Sequence, residues 1–443
     1  MHVNVLWLKY LPRHLRIKLE GRHLLQRLLS NVGWLVADKI MRLGVGLFVG
    51  AWMARYLGPQ SFGLLSYGQA IVVLFSAIST VGLPEILVRD LVRSPERESE
   101  LVASAFIIRL FGAAIAIALS AITVWLLRPG EEMTWLVVAI LALAFFAQAM
   151  DVIDSRYQAL VNVRSIVLLR NLAFFVFSFL KIGAIILHAT LLTFAWLLTL
   201  ELFVVAALMY LFAHRQGMAF RLGDATWNEC LRLLHASWPL LLRLLATGIY
   251  MRIDQIMISR FLGDLDVGQY SAAVRVSELW YLVLMAIATA FSPTLTESHK
   301  QSTELYEGQL LKIMRSVTWM SIIVAILLTL LAPFVVSVLY GQEYQVASNV
   351  LMVHAWAGIF VAQGVCASAW FINMGLVRYA LYQALAGAIV SILLNLVLIP
   401  RFGILGAAYS VVISQFVAAI AVNVLFKRTR RLAWLQLRAF YPP

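Results

Sequence analysis

The sequence predicts an all-α integral membrane protein of about twelve transmembrane helices, arranged as two parallel six-helix bundles around a central cavity. Three observations predict it. Of 443 residues, 62% are hydrophobic and only 13% charged, against about half and about a quarter in soluble domains. The apolar residues come in blocks of roughly 20, the length that crosses a hydrocarbon core as a helix. A charged apolar run ending in a glycine turn also occurs twice, at one constant offset. Arg55-Tyr56-Leu57-Gly58 returns as Arg260-Phe261-Leu262-Gly263, and Gly63 and Ser66 return as Gly268 and Ser271. A repeat of this kind decides architecture.

Residues 1–31 form a basic, leucine-rich segment (Lys9, Arg13, Arg16, Lys18, Arg22, Arg27) with no continuous apolar core. It reads as an in-plane helix on an anionic leaflet rather than a cleaved signal. The first bundle occupies 32–212, with spans near Val32–Ala54, Leu64–Val88, Ala103–Leu127, Met133–Val152, Leu168–His188 and Leu191–Phe212. A linker, 213–237, separates it from the second bundle, 238–426. There the spans fall near Trp238–Phe261, Ala272–Leu295, Val317–Tyr340, Ser348–Asn373, Tyr379–Ile399 and Leu405–Phe426. A basic tail, 427–443, follows. With an even number of spans in each half, both halves enter the membrane from the same side, so the repeats are parallel rather than inverted. Pro84 and Pro293 sit at matching places in the two halves.

The net charge of +13 has a topological cause. Lys and Arg gather in cytoplasmic loops, here among others Arg89, Arg93, Arg97, Arg156, Arg164, Arg215, Arg221, Arg232, Lys300, Arg378 and Lys427. Only Arg55, Arg128, Arg260, Arg275 and Arg401 are assigned to the opposite side. Both termini are therefore expected in the cytoplasm, in a multi-pass membrane protein. No basic soluble domain is available for nucleic acid, which is excluded as a partner. Cys230 and Cys366, in a loop and a span, are not expected to pair.

The glycine turn lacks the Gly-Lys-Ser/Thr of a phosphate loop. Its structural reading is a corner, with Gly58 and Gly263 capping helices in the left-handed conformation and Gly63 and Gly268 allowing close approach. Gly403-Ile404-Leu405-Gly406-Ala407-Ala408 reads as close helix packing. Metalloprotease, Walker and nucleophile-elbow motifs are missing from the sequence, so no enzyme, metal or cofactor is expected.

The chemistry is expected at the intramembrane charges. Asp38, Lys39 and Arg42 fall in the first span, Arg109 in the third, Lys181 in the fifth, Glu201 in the sixth, and Arg243, Arg252 and Asp254 in the seventh. Each costs about 2.5–3.5 kcal/mol at a helix centre, so such helices insert beside partners or a watery cavity. A polar, cationic lumen follows, with Trp34, Tyr250, Trp280 and Tyr281 as aromatic neighbours. It suits an anionic solute, above all a phosphate or diphosphate. Arg42, Arg109, Lys181, Arg243, Tyr250 and Arg252 are the substrate-binding candidates. Asp38, Glu201 and Asp254 are the ion-coupling or gate candidates. Arg243, Tyr250 and Asp254 share one stripe of the seventh helix, and Asp38 aligns with Arg243 under the repeat, which predicts a salt bridge across the halves. The structural alternative is ion pairing within and between helices.

The run Leu25–Ser30, the charged first span and the segment Ala54–Ser66 resemble the opening of bacterial polysaccharide (O-antigen and exopolysaccharide) flippases. These belong to the multidrug/oligosaccharidyl-lipid/polysaccharide exporter superfamily, which has the MATE fold. The 6+6 plan and Gly403–Ala408 resemble that superfamily too. The resemblance implies a MATE-like fold that moves undecaprenyl-diphosphate-linked oligosaccharide to the outer leaflet by alternating access. The implied partners are the polyprenyl-diphosphate-linked glycan, membrane lipid and other polysaccharide-assembly proteins. An ion-coupled small-molecule or multidrug antiporter of the same fold is the alternative, and a membrane enzyme of glycan assembly is the third reading.

Overall fold

The computed structural model describes the backbone of residues 23–160, 163–217 and 221–441, with side chains from residue 41 onward except 43, 289, 290, 292 and 293. Most of the basic segment 1–31 lies outside the described residues. The chain forms two compact units, Met1–Gly46 and Leu47–Pro443. In the first, the described backbone is helical from His23. The second holds the two halves of the repeat in a single unit.

Among the described residues there are helices and turns but no strand. In chain order the first half runs α1 (His23–Thr80), α2 (Leu83–Arg93), α3 (Glu98–Leu127), α4 (Glu132–Ala142), α5 (Ala144–Ala149), α6 (Val152–Ala159), α7 (Arg164–Ile186) and α8 (Leu191–Arg215). The second half runs α9 (Trp227–Phe261), α10 (Asp264–Gln301), α11 (Thr303–Tyr340), α12 (Gln345–His354), α13 (Ala357–Asn373), α14 (Arg378–Phe402) and α15 (Ile404–Phe416). A π turn (Val417–Ala421), α16 (Val422–Leu425) and α17 (Arg430–Arg438) complete it.

Nine helices among the described residues are long and apolar enough to cross a membrane, or ten if the bent pair Gln342–His354 and Ala357–Asn373 forms one span. The expectation of about twelve spans exceeds this count at two places. The stretch Gly44–Arg93 counts once although the chain breaks inside it at Gly58. Helix α9, which carries Arg243, Arg252 and Asp254, is not among the nine.

Both glycine turns break the helix as the repeat predicts, but in a different conformation from the left-handed helical cap. Gly58 has φ 71° and ψ 166°; Gly263 has φ 96° and ψ 179°. This is the extended positive-φ region, essentially closed to residues with a Cβ.

The two corners then pack on each other. A Cβ on Gly63 would lie 1.7 Å from the Asp264 carbonyl oxygen, and one on Gly268 2.0 Å from the Pro59 carbonyl oxygen. Pro59 and Asp264 are equivalent under the repeat offset, as are Gly63 and Gly268. The contact is therefore reciprocal, the mark of a two-fold axis relating the two halves. Buried residues from both corners, among them Phe62, Leu65, Val267 and Tyr270, join one apolar cluster with Tyr344 around it.

Helix α9 belongs to both halves. Its opening residues Cys230 and Leu233 are buried in a first-half cluster with Leu83, Leu87, Leu101 and Met209. Pro239 stands inside the helix. Beyond it α9 packs most extensively against α14.

Gly63→Ala and Gly268→Ala should each lower stability by about 1–3 kcal/mol, the cost of overpacking a close contact. Gly183→Ala, whose added Cβ meets nothing within 4 Å, should not. Thermal denaturation of the three purified variants in detergent checks this, and similar losses at the two corner glycines are expected from their equivalence.

Candidate functional site

Ion pairs and hydrogen bonds tie the two halves together at the corner end of the Leu47–Pro443 unit, and at the linker end they hold the opening of α9 to the first half. At the corner end, Arg128 of the first half makes a bidentate bond to Asp264 of the second, at 2.6 and 2.9 Å. It lies 5.2 Å from the centre of the Tyr67 ring. The Tyr344 hydroxyl donates to the Ala54 carbonyl at 2.8 Å. At the linker end, Arg232 bridges Glu229 (2.5 Å) and Asp90 of the first half (2.7 Å). Arg97 donates to Glu229 at 2.6 Å. Thr226 caps α9 by accepting from the Glu229 amide at 3.3 Å and donates to Glu100 at 2.7 Å.

Between these ends lies a cavity of about 400 Å³, within the size range of small-ligand sites. Both halves line it. Gln69 comes from α1, Gln148 from α5, Thr199 and Glu201 from α8, Arg252 and Gln255 from α9, and Arg275 and Glu278 from α10. Small and aliphatic residues such as Ala70, Val73 and Leu202 fill the rest of the wall. Polar groups from both halves thus converge on the cavity, Ser66 and Ser271 among them.

Their charges are mostly spoken for. Arg252 makes a bidentate bond to Glu278, at 3.2 and 3.0 Å. Glu201 accepts from Lys181 at 2.7 Å, with only 15% and 10% of the two side chains exposed. Arg275 differs. It donates to the neutral Gln69 side chain of the first half at 2.7 Å and stacks over the Phe62 ring at 4.7 Å. Among the described residues it has no carboxylate partner within 4.0 Å. A cation held by an amide and a ring keeps its full charge for an incoming anion.

Other expected residues lie elsewhere. Arg109, 1% exposed, is in the first half, 3.6 Å from Asp151 and with its Nε unbonded. Arg170 also approaches Asp151, at 3.2 Å, and Asp154, at 3.3 Å. Tyr250 packs against Gly387 and a small apolar cluster of Ala246, Ala384 and Ala388. Asp254 is buried, accepting from the Tyr270 hydroxyl and from the Gln255 amide at 2.8 Å. The stripe through Tyr250 and Asp254 is therefore the face α9 turns into its own bundle, and Arg252 and Gln255 stand on the face toward the cavity. Arg243 is half-buried, outside the cavity lining. Trp280 donates to Ser321 at 3.0 Å and, with Tyr281, lies beside Gly358 in the second half. Arg42 falls in the unit Met1–Gly46. The side chains of Trp34, Asp38 and Lys39 lie outside the described residues, and with them the expected Asp38–Arg243 bridge.

Arg275 and Glu278 escaped sequence reasoning. Arg275 is counted among the cations of the non-cytoplasmic side, yet it stands in α10 twelve residues past Gly263, roughly 18 Å along a helix axis. The signal was present: Arg275 and Glu278 share the span predicted at Ala272–Leu295, at i and i+3 on one face. Among the described residues no group of His, Cys, Asp and Glu is placed to hold a metal ion.

Comparison with known proteins assigns this architecture to a class. Residues 28–299 match the family profile "Polysaccharide biosynthesis protein" and residues 239–397 match "MatE". The chain belongs to the polysaccharide biosynthesis protein family and is a multi-pass membrane protein. It is 26% identical over 182 residues to the capsular polysaccharide biosynthesis protein CapF of Staphylococcus aureus, covering 40% of this chain and 45% of that one. It is 27% identical over 174 residues to the probable low-salt glycan biosynthesis flippase Agl15 of Haloferax volcanii, covering 37% and 35%. The chain thus spans less than half the length of these relatives. Its fold is that of an inward-facing multidrug resistance MATE family transporter (TM-score 0.72, 19% identity, 89% and 96% covered). The fold of the lipid II flippase MurJ in an inward closed conformation is similar (TM-score 0.70, 14% identity, 91% and 90% covered).

Lys181→Met should destabilise the protein by about 3–5 kcal/mol, because it leaves the Glu201 carboxylate unpaired in a low-dielectric wall. Adding Glu201→Gln should recover most of the loss. Denaturation of the single and double variants in the same detergent measures both steps.

Proposed function

We propose that this chain is a flippase that carries undecaprenyl-diphosphate-linked oligosaccharide across the bacterial cytoplasmic membrane, from the cytoplasmic to the outer leaflet. The observation that carries the reading is Arg275, a cation without a carboxylate partner in a cavity lined by both halves. A diphosphate is doubly anionic and planar guanidinium donors match its oxygens. The family membership and the glycan roles in its relatives' names support the same substrate class. The lipid tail would stay in the bilayer while the glycan passes between the halves.

The mechanism is alternating access. Halves related by an axis along the membrane normal can rock about a central site. The basic loops orient the linker end to the cytoplasm and the corner end outward. Passage outward then requires the Gly63–Gly268 corners and the Arg128–Asp264 pair to part. Arg232 and Arg97 keep the opening of α9 with the first half throughout. Substrate replaces Gln69 as the partner of Arg275, so binding loosens one tie between the halves. Asp254, buried beside Tyr270, is the ion-coupling carboxylate.

An antiporter of the same fold is the second reading, favoured by the carboxylates Glu201 and Glu278 in the cavity wall. Cells lacking the protein should accumulate lipid-linked oligosaccharide on the cytoplasmic face, and the wild-type chain should clear it. Arg275→Ala, present in the membrane at normal level, should clear it at least about tenfold more slowly, the worth of a lost bond to a charged group. Unchanged oligosaccharide distribution with altered drug sensitivity would establish the antiporter instead. Normal clearance by Arg275→Ala would remove that residue from the site.

A further inference from the structure

The end of the chain carries a surface that transport through the cavity does not use. No Asp or Glu occurs after Glu343, so the last part of the chain holds only basic charge. Five of those charges, Lys427, Arg428, Arg430, Arg431 and Arg438, flank or lie on α17, and all five are exposed. Arg431 bonds Glu307 at 2.6 Å. Among the described residues, Lys427, Arg428 and Arg430 have no carboxylate partner.

The opposite face of α17 is bolted to the bundle. Leu432, Ala433 and Leu435 are buried. Gln436, fully buried, donates to the Ala419 carbonyl at 2.8 Å and accepts from Asn423 at 2.9 Å. Ala419 lies in the π turn that interrupts the last span, where the i→i−4 ladder is broken and carbonyls are left to other donors. Thr429 ties the preceding turn to the Asn423 carbonyl at 2.8 Å. The helix is therefore a fixed part of the fold rather than a loose tail.

Aromatic side chains collect at the same level. Trp434 lies between Arg438, 3.5 Å from its ring centre, and Arg431, at 4.7 Å. Phe426 stacks on Tyr382 at 5.5 Å, beside Tyr379. Tyr441 is 68% exposed next to Trp319. Aromatic rings and cations at the end of a span mark the membrane–water interface. An amphipathic helix there, basic on its outer face, binds anionic headgroups.

We propose that α17 and the turn before it form a binding surface for the anionic phospholipid headgroups of the leaflet bordering the tail, with Lys427, Arg428 and Arg430 as the contacting cations. The aromatic collar at the end of the last span favours a lipid over an acidic protein or nucleic acid, neither of which needs rings level with the spans. The inference stands apart from the transport reading.

A fluorophore on Leu437→Cys reports on the surface, since Leu437 is exposed and both native cysteines are buried. The full chain is placed in nanodiscs containing a doxyl quencher on either phosphatidylglycerol or phosphatidylcholine. The phosphatidylglycerol form should quench at about fivefold lower lipid fraction, the effect of roughly one surface charge, and high salt should erase the difference. The triple variant Lys427→Ala/Arg428→Ala/Arg430→Ala should lose the preference. Its melting temperature in phosphatidylcholine nanodiscs should match the parent, which separates lost binding from lost folding. Equal quenching by both lipids in the parent protein, or an unchanged preference in a folded triple variant, overturns the proposal.

Discussion

Two glycine corners, each pressed against the backbone of the other, set the geometry on which the rest of this protein depends. Gly63 and Gly268 leave no room for a Cβ between the halves. Close backbone approach at one point holds Arg128 against Asp264, brings Gln69 within reach of Arg275 and leaves the cavity just behind the contact. The reciprocity follows from the repeat. When each half carries the same corner and the halves run parallel, a two-fold contact lets one short motif serve as both knob and socket.

The buried charges form a graded set around that contact. Paired ions in a low-dielectric wall cost desolvation and return it only when the geometry is good. Arg252–Glu278 and Lys181–Glu201 meet that condition and make the cavity wall polar without giving it a large net charge. Arg275 is the exception, satisfied by an amide and a ring. A fully cationic lumen would repel itself and resist packing. One cation without a counter-ion, among pairs that can rearrange, gives an anion a place to bind at less structural cost.

Legibility divided along physical lines. The repeat, the parallel halves and the glycine corners were readable because they depend on short spacing and on the one residue without a side chain. The expected cap conformation differed in ψ, since a left-handed cap and an extended positive-φ corner place the same demand on the residue. Arg252 and Glu201 line the cavity. Arg109, Tyr250 and Asp254 do not line it, because a charge within a span identifies its depth but not its direction. Arg275 and Glu278 are visible as a pair three residues apart, but counting Arg275 only toward the charge bias of the two sides leaves it out of the intramembrane census.

Hydrophobic block length and composition by themselves determined a helical membrane protein, and the constant offset of two glycine turns determined a duplicated plan. Both are properties of residues close in sequence, so a linear reading reaches them. Tertiary structure alone decided which face of α9 turns to the cavity, which carboxylate neutralises which cation, and that Arg275 is left to Gln69 of the other half. Those outcomes depend on how helices rotate as they pack, and on partners as far apart in the chain as Gln69 and Arg275. Close packing settles such rotations, and spacing along one helix does not encode them.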